Sequence, residues 1–396
     1  MDRNTTLSLF PELDRDISSF NRAGIFPSQK IRDFIKKGYI TANKPNISPN
    51  QIQPASLDLR LGKVAYQVRA SFLPGAHSEV KSKIQGLKIK EIDLTKSAVF
   101  DKGNVYIVPL IEELDLRPGL SAKANPKSTT GRLDIFARLI TDQGVEFERV
   151  PEAYKGKLYC EVAPRTFPIR LKSGMRLNQL RFIQAKPSFD LSDPHLSKLD
   201  ASERLVYLDD EDKPSEANIN EGLRISVNLR GKPQSEIIGY RARKNSPVID
   251  LQKKNHYSPE DFWEAIKAPK TGSIILNPDD FYILSSKEKV RIPPSFAAEL
   301  VAYDPTIGEF RIHYAGFFDP GFGYGSSNIK GTHAVLEVRS HEVPFVIEDG
   351  QMVGRLIYEP LLEIPDKLYG IDIGSSYQSQ GLALSKQFKN LKTPVS

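Results

Sequence analysis

Apolar and polar residues alternate with a two-residue period along much of the chain after residue 50, the pattern of half-buried strands. Ala55 to Gly62 (ASLDLRLG) alternates throughout, and Val105 to Val108 and Leu177 to Phe182 are further strand-like runs with Pro and Gly at their ends. Helical spacing is confined to short stretches. Ile31, Phe34 and Ile35 recur at helical intervals between Ser28, read as the cap, and Gly38, which suits a helix end. A second helix is predicted from Ser258-Pro259-Glu260-Asp261, with Pro at its first position and Phe262, Ala265 and Ile266 as its apolar face. Many short strands with few helices predict a mainly β protein, a barrel or a sandwich.

The pattern occurs twice. Thr141-Asp142-Gln143-Gly144 precedes GKLYCEV at 156–162, then Phe167-Pro168-Ile169 and Gly174. Phe318-Asp319-Pro320-Gly321 precedes GTHAVLEV at 331–338, then Val343-Pro344-Phe345 and Gly350. Glu161 and Glu337, the acids of the two strands, stand 176 positions apart. A repeat of this length is a duplicated domain. ISVNLRG at 225–231 echoes ASLDLRLG, and the segment 186–221 between the copies is rich in Asp, Glu, Ser and Pro with little apolar periodicity. The expected organisation is an N-terminal arm at 1–27, a first domain at 28–190, a linker at 191–221 and a second domain at 222–396. The polar stretch 375–381 looks more like an arm than a core strand.

A chain of 396 residues is long enough for two domains with a core each. The formal net charge is +6, but Lys and Arg are interleaved with Asp and Glu, as on a solvated surface. Nucleic acid is therefore not the expected partner, whereas a small polyanion such as a nucleotide fits. No apolar run approaches the roughly 20 residues that span a bilayer, and the first residues lack the basic start and apolar centre of a signal peptide. Cys160 is the sole cysteine, so neither an intrachain disulfide nor a cysteine-rich zinc site is expected. The expected setting is cytoplasmic, without membrane association.

Candidate chemistry sits at two places in the first copy. On a strand through 158–163, Leu158, Cys160 and Val162 share one face, and Tyr159, Glu161 and Ala163 share the other. In the second copy Ala334, Leu336 and Val338 oppose Val335, Glu337 and Arg339. An acid opposite the apolar face suits a general base, and it equally suits a solvated strand. Asn125 to Leu133 (NPKSTTGRL) sets small hydroxyl residues against Gly131 between Lys127 and Arg132, a composition that suits phosphate binding and also occurs in ordinary polar turns. The six histidines, at 77, 195, 256, 313, 333 and 341, have no ligand spacing, although His333 shares a strand face with Glu337. Trp263 is expected to pack.

Taken in order, these segments resemble the dCTP deaminase family of the dUTPase-like superfamily. The resemblance runs through QIQPASLDLRLG at 51–62, KSTTGRLD at 127–134, TDQG at 141–144, KGKLYCEV at 155–162 and FPIRLKSGMRLNQLRF at 167–182. In the second copy it runs through AGFFDPGFGYG at 315–325, THAVLEV at 332–338 and SSYQSQGLALSK at 375–386. It implies two tandem distorted β-barrel or jelly-roll domains with a few short helices, in a long two-domain form. It also implies hydrolytic deamination of dCTP to dUTP and ammonia, which supplies dUTP for thymidylate synthesis, with Mg²⁺ bound through the substrate triphosphate. Zinc is not expected, because zinc deaminases carry H-x-E and P-C-x-x-C signatures that this chain lacks.

By the same resemblance Glu161 is the general base, Ser128 and Arg132 hold the water and steady the developing charge, and Asp142 lies near the deoxyribose. Lys127 stands where the family has Arg, Thr129 belongs to the same phosphate turn, and Gln143 replaces the usual Pro. The second copy keeps Asp319 and Glu337, but Pro305 and Glu309 stand where a hydroxyl and a cation would be needed. Tyr377 and Gln380 belong to its closing segment. Family sites form between neighbouring subunits, so two arrangements are open. First domains alone supply Ser128, Arg132 and Glu161, or Ser128 and Arg132 of a first domain face Asp319 and Glu337 of a second. The former is preferred, since one domain type then supplies all three catalytic side chains. A homotrimer forming two three-domain rings is expected, with dCTP as the ligand and dTTP or dUTP as further candidates. The rivals are a bifunctional enzyme that goes on to dUMP, and a deoxynucleotide-binding regulator without turnover.

Overall fold

The structure, a computed structural model, describes residues 23–42, 45–184, 190–208, 214–231, 236–302, 310–312, 316–324, 330–340, 342–370 and 382–389. Each copy is built from two antiparallel sheets in the same order. In the first, one sheet runs Lys88–Asp93, Val64–Val68, Val105–Asp115, Lys155–Pro164 and Ile135–Thr141, with Ile40–Ala42 also on Val105–Asp115. The other runs Gly24–Ile25, Asn178–Gln184, Leu120–Pro126 and Arg149–Val150, with Leu57–Asp58, the counterpart of Leu223–Ser226 in the second copy, also on Asn178–Gln184. The second copy repeats this as Trp263–Lys267, Ile237–Ala242, Phe281–Val290, Thr332–Ser340 and Phe310–Ile312, with Leu223–Ser226, Met352–Pro360, Phe296–Ala302 and Phe317–Phe318. The mainly β class with few short helices is as expected, and its sheets bury alternate side chains between them.

The duplicated strands occupy the centre. Leu158, Cys160 and Val162 point into the first core, and Ala334, Leu336 and Val338 into the second. The first core does not stop at the boundary between the copies. Phe262, Trp263, Phe281 and Phe388 join it, and Phe167 of the first copy meets Trp263 edge to face at 5.3 Å. Such ring pairs add about 0.5–1.5 kcal/mol beyond the area they bury, so these side chains bind the halves together. A short parallel pairing of Ile169–Leu171 with Ile249–Asp250 crosses the same boundary.

Four local expectations change. The predicted helix after Ser258 is one 3-10 turn, Pro259–Asp261, followed by the strand Trp263–Lys267. Trp263 is drawn into the aromatic cluster, and the following residues pair with Ile237–Ala242. The eight-residue run Ala55 to Gly62 forms only the short strand Leu57–Asp58, and every residue of it but Gly62 is buried. Its polar members are consumed internally: Arg60 pairs with the fully buried Glu112 at 2.6 Å. The segment read as linker contains the helix Asp193–Glu203, which buries Leu196 and Leu199 against the second core. Finally, the helix Ser28–Lys36 is preceded by Pro27 as its cap, while the Ser28 hydroxyl bonds to Asp366. A further helix, Val80–Leu87, bears directly on the site.

Candidate active site

The strand Leu120–Pro126 ends at a proline, and the chain turns through the single helical turn Ser128–Gly131. Gly131 and Arg132 donate their amides to Lys127 and Ser128, and the Thr130 hydroxyl ties the turn to the Leu177 carbonyl at 2.8 Å. Ser128 is left exposed, with Thr129 half-buried beside it. Arg132 is buried and donates to the Ala383 carbonyl at 3.0 Å. Ser385 bonds to the Thr129 carbonyl at 2.9 Å. The C-terminal segment 382–389 therefore lies across the turn, anchored by Gln387 on Leu251 and by Phe388 in the aromatic cluster.

Cations gather beside this turn. Lys127 pairs with Asp58, Arg176 lies 3.7 Å from the same carboxylate, and Lys386 joins them from the closing segment. Burial pushes the Lys386 ammonium below its ordinary range, and the nearby Lys127, Lys254 and Arg176 charges push it further. Lys127, Lys254, Arg176 and Lys386 outnumber Asp58 and the nearby Asp319, an excess of positive charge that suits a polyphosphate.

The acids that reach this place come from the second copy. Glu337 lies on the face of Thr332–Ser340 that packs against the first copy, where its neighbour Val335 adjoins the first core. Burial raises the Glu337 carboxyl to about 8, and the Arg132 cation partly offsets this. Asp319 is set by its Asp-Pro-Gly turn, with Phe322 and Tyr369 amides donating to the Asp319 and Pro320 carbonyls. Gly323 is required there: its φ is +61°, and an added Cβ would lie 2.1 Å from the Val290 carbonyl oxygen. Burial raises the Asp319 carboxyl, against the pull of Arg181 and Lys127. Its Oδ1 is buried, lies 3.9 Å from Arg181 Nη2, and accepts no hydrogen bond among the described residues.

The first copy's equivalents are already engaged. Glu161 is fully buried, paired with Arg138 on the adjacent strand, and accepts the Ser71 hydroxyl at 2.6 Å. Asp142 accepts the Val80 amide at 2.8 Å and so caps the helix Val80–Leu87. Val80 and Ile84 of that helix pack with Tyr159, Ile107 and Ile140 on the face that carries Glu161. The segment 69–87 thus covers the very surface that, in the second copy, meets the first. Within the chain Ser128 and Arg132 are not brought to Glu161; the preferred arrangement joins first domains of neighbouring subunits, which one chain does not contain. Arg132 has Glu337 as its carboxylate neighbour, and Asp142 serves as a helix cap. Tyr377, Gln380, Pro305 and Glu309 lie outside the described residues.

His333 is buried with its Nδ1 2.8 Å from the Ser286 carbonyl oxygen, and Trp263 is core. Among the described residues no group of three or more His, Cys, Asp or Glu is placed to hold a metal ion, and no helix is long and apolar enough to cross a membrane. Asp58, Arg176 and Lys386 escaped notice because each lies in a different segment. Only the shared order of those segments hinted that they meet.

Fold and site together define a tandem-domain protein of the dUTPase-like β class, in which a cation-flanked turn of one copy meets buried acids of the other. Residues 22–186 match the 2'-deoxycytidine 5'-triphosphate deaminase N-terminal domain, and residues 192–388 match the C-terminal domain of the same family. The crystal structure of 2'-deoxycytidine 5'-triphosphate deaminase from Agrobacterium tumefaciens is 46% identical, covers 86% of this chain and 99% of its own, and superposes with a TM-score of 0.81. A dCTP deaminase of Halorubrum lacusprofundi is 27% identical over 167 residues, 41% of this chain and 78% of its own length. A dUMP-forming dCTP deaminase of Aquifex aeolicus is 30% identical over 161 residues, 40% of this chain and 80% of its own. The chain belongs to the dCTP deaminase family.

Proposed function

We propose that this protein deaminates dCTP hydrolytically, giving dUTP and ammonia, in the composite site of Lys127, Ser128, Arg132, Asp319 and Glu337. The observation that carries this reading is Glu337, a buried carboxyl held at about 8 beside Arg132 and within the same interdomain face as the phosphate turn. A base is most effective with its pKa near the working pH, and a buried carboxylate reaches that range where an exposed one does not. Glu337 takes a proton from a water that attacks C4 of cytosine, and the proton passes to N3. Glu337 then carries the proton of the new C4 hydroxyl to the amino nitrogen, the C4–N bond breaks as C4=O forms, and ammonia leaves. Ser128 and Arg132 hold the water and balance charge as the tetrahedral carbon forms. Asp319, whose Oδ1 faces Arg181 but accepts no hydrogen bond among the described residues, accepts the deoxyribose hydroxyl.

Lys127, Arg176 and Lys386 bind the triphosphate, and Mg²⁺ enters as part of that substrate. Segment 382–389 closes over the turn and limits water. On this reading each chain holds one complete site, and Asp142 and Glu161 have become structural. A homotrimer with two three-domain rings then requires rings that mix domains of different chains. Light scattering on the full chain tests this, and a stable monomer counts against it. The test of the chemistry is ammonia release from dCTP with Mg²⁺ by wild type, Glu337→Gln and Glu161→Gln. Loss of turnover in Glu161→Gln alone would sink the assignment. Relatives named dUMP-forming favour a second reading in which the same site also releases pyrophosphate, and dUMP among the products identifies it.

A further inference from the structure

Two residues beyond Arg132 on the first copy, and two beyond Glu337 on the second, lies another charge pair. Asp134 is fully buried and Arg339 nearly so. Arg339 donates Nε to Asp134 Oδ2 at 3.1 Å and Nη2 to the same oxygen, while the Thr166 hydroxyl also donates to it. Arg339 Nη2 further reaches the Thr166 hydroxyl at 2.8 Å, and its Nη1 donates to the Asp279 carbonyl at 2.9 Å. Asp134 is fixed from its own side as well. Its amide donates to the Gly131 carbonyl at 2.8 Å and its carbonyl accepts the Arg165 amide at 2.9 Å.

Two features argue that stability does not explain this pair. Asp134 has φ +55°, the left-handed region where glycine is the cheaper residue. A buried ion pair is often no more stabilising than well-packed apolar residues of the same volume. What it does provide is geometry. The first copy presents a cation and then an anion, Arg132 and Asp134, and the second presents an anion and then a cation, Glu337 and Arg339. A slip between the halves would set like charges together in a buried place.

We infer that Asp134 and Arg339 are a positioning pair that holds the phosphate turn of the first copy in register with the base-bearing strand of the second. The inference rests on the assignment of Glu337 as base. Among the described residues the charged groups around Glu337 are Arg132 and Asp134 from the first copy and Arg339 from its own strand, while the two flanking strands place Ile283 opposite Glu337 and Arg311 opposite Arg339. Asp134→Asn leaves the Arg339 cation uncompensated and favours ionised Glu337. Arg339→Gln leaves the Asp134 anion and disfavours it.

The experiment measures kcat, KM and the acid limb of kcat/KM for dCTP in Asp134→Asn, Arg339→Gln and the double variant. Each single variant is expected to lose about 10- to 100-fold in kcat, the scale of a misplacement of about 1 Å. The acid limb should move to lower pH in Asp134→Asn and to higher pH in Arg339→Gln, and return toward wild type in the double variant. Limbs that stay together, or that both move the same way, overturn the proposal. Arg339→Lys and Thr166→Val, which keep the charges, extend the test if a variant fails to fold: wild-type kcat in both also overturns it. Glu337→Gln in the same assay separates the two claims. If it keeps turnover, the base assignment fails. If it is inactive while the Asp134 and Arg339 variants match wild type, only the positioning role fails.

Discussion

The two glutamates at equivalent positions of the repeat are expected to give opposite phenotypes when each is replaced by glutamine. At position 337 the change removes a base worth roughly 10²- to 10⁴-fold in rate. It should not weaken the fold at pH 8. A carboxyl raised to about 8 contributes stability that is complete below the unfolded value near 4.5 and is lost as pH rises between the two. Each pH unit in that window costs about 1.4 kcal/mol, so Glu337→Gln should equal or exceed wild type in stability at pH 8, with the difference gone near pH 4. At position 161 the arithmetic reverses. Glu161 accepts from Ser71 at 2.6 Å and from Arg138 Nε at 3.0 Å, and glutamine keeps only one acceptor oxygen and no charge. Hydrogen bonds to charged groups contribute about 1.5–3 kcal/mol. With the Arg138 side chain 30% exposed, solvent screening reduces this to about 1–2 kcal/mol. At about 2–4 °C per kcal/mol for domains of this size, Tm falls by several degrees while turnover per folded molecule stays near wild type. Ammonia release and thermal unfolding at pH 8 read both. A Glu337→Gln enzyme with wild-type turnover, or an inactive Glu161→Gln enzyme that unfolds at the wild-type temperature, would refute the reasoning.

Three further outcomes follow from the same structure. The acid limb of kcat/KM for dCTP should fall near pH 8, because Glu337 must lose its proton to act and burial holds that proton; a limb near pH 4.5 would mean that Glu337 is not the base. Asp319→Ala should lower kcat/KM for dCTP by about 10- to 100-fold, the scale of one lost hydrogen bond to a charged group, and an unchanged value would remove Asp319 from the substrate's reach. Phe388→Ala should destabilise the protein by about 3–5 kcal/mol, since Phe388 is 3% exposed and packs on Phe262 and Trp263. Trp263, the sole tryptophan, reports that loss directly in denaturant titrations followed by fluorescence.

Much of this protein was legible in its sequence. Strand periodicity and the 176-residue spacing of Glu161 and Glu337 pointed to a duplicated, mainly β chain, and the ordered motifs pointed to the dCTP deaminase family. Lys127 to Arg132 could be read as a phosphate-type turn because hydroxyls, glycine and cations lie together in one short segment. Local pattern failed where tertiary contacts outvoted it. Trp263 is pulled from a helical pattern into a strand by aromatic partners far along the chain, and Asp58 and Arg60 lie in an alternating run that is buried on both faces. The choice between the two glutamates was beyond the sequence, because each sits in the same local context, on a strand after an acidic turn. Segment 69–87 covers Glu161, and docking of the halves brings Glu337 to Arg132. Both are contacts between distant segments, and no spacing within either copy encodes them.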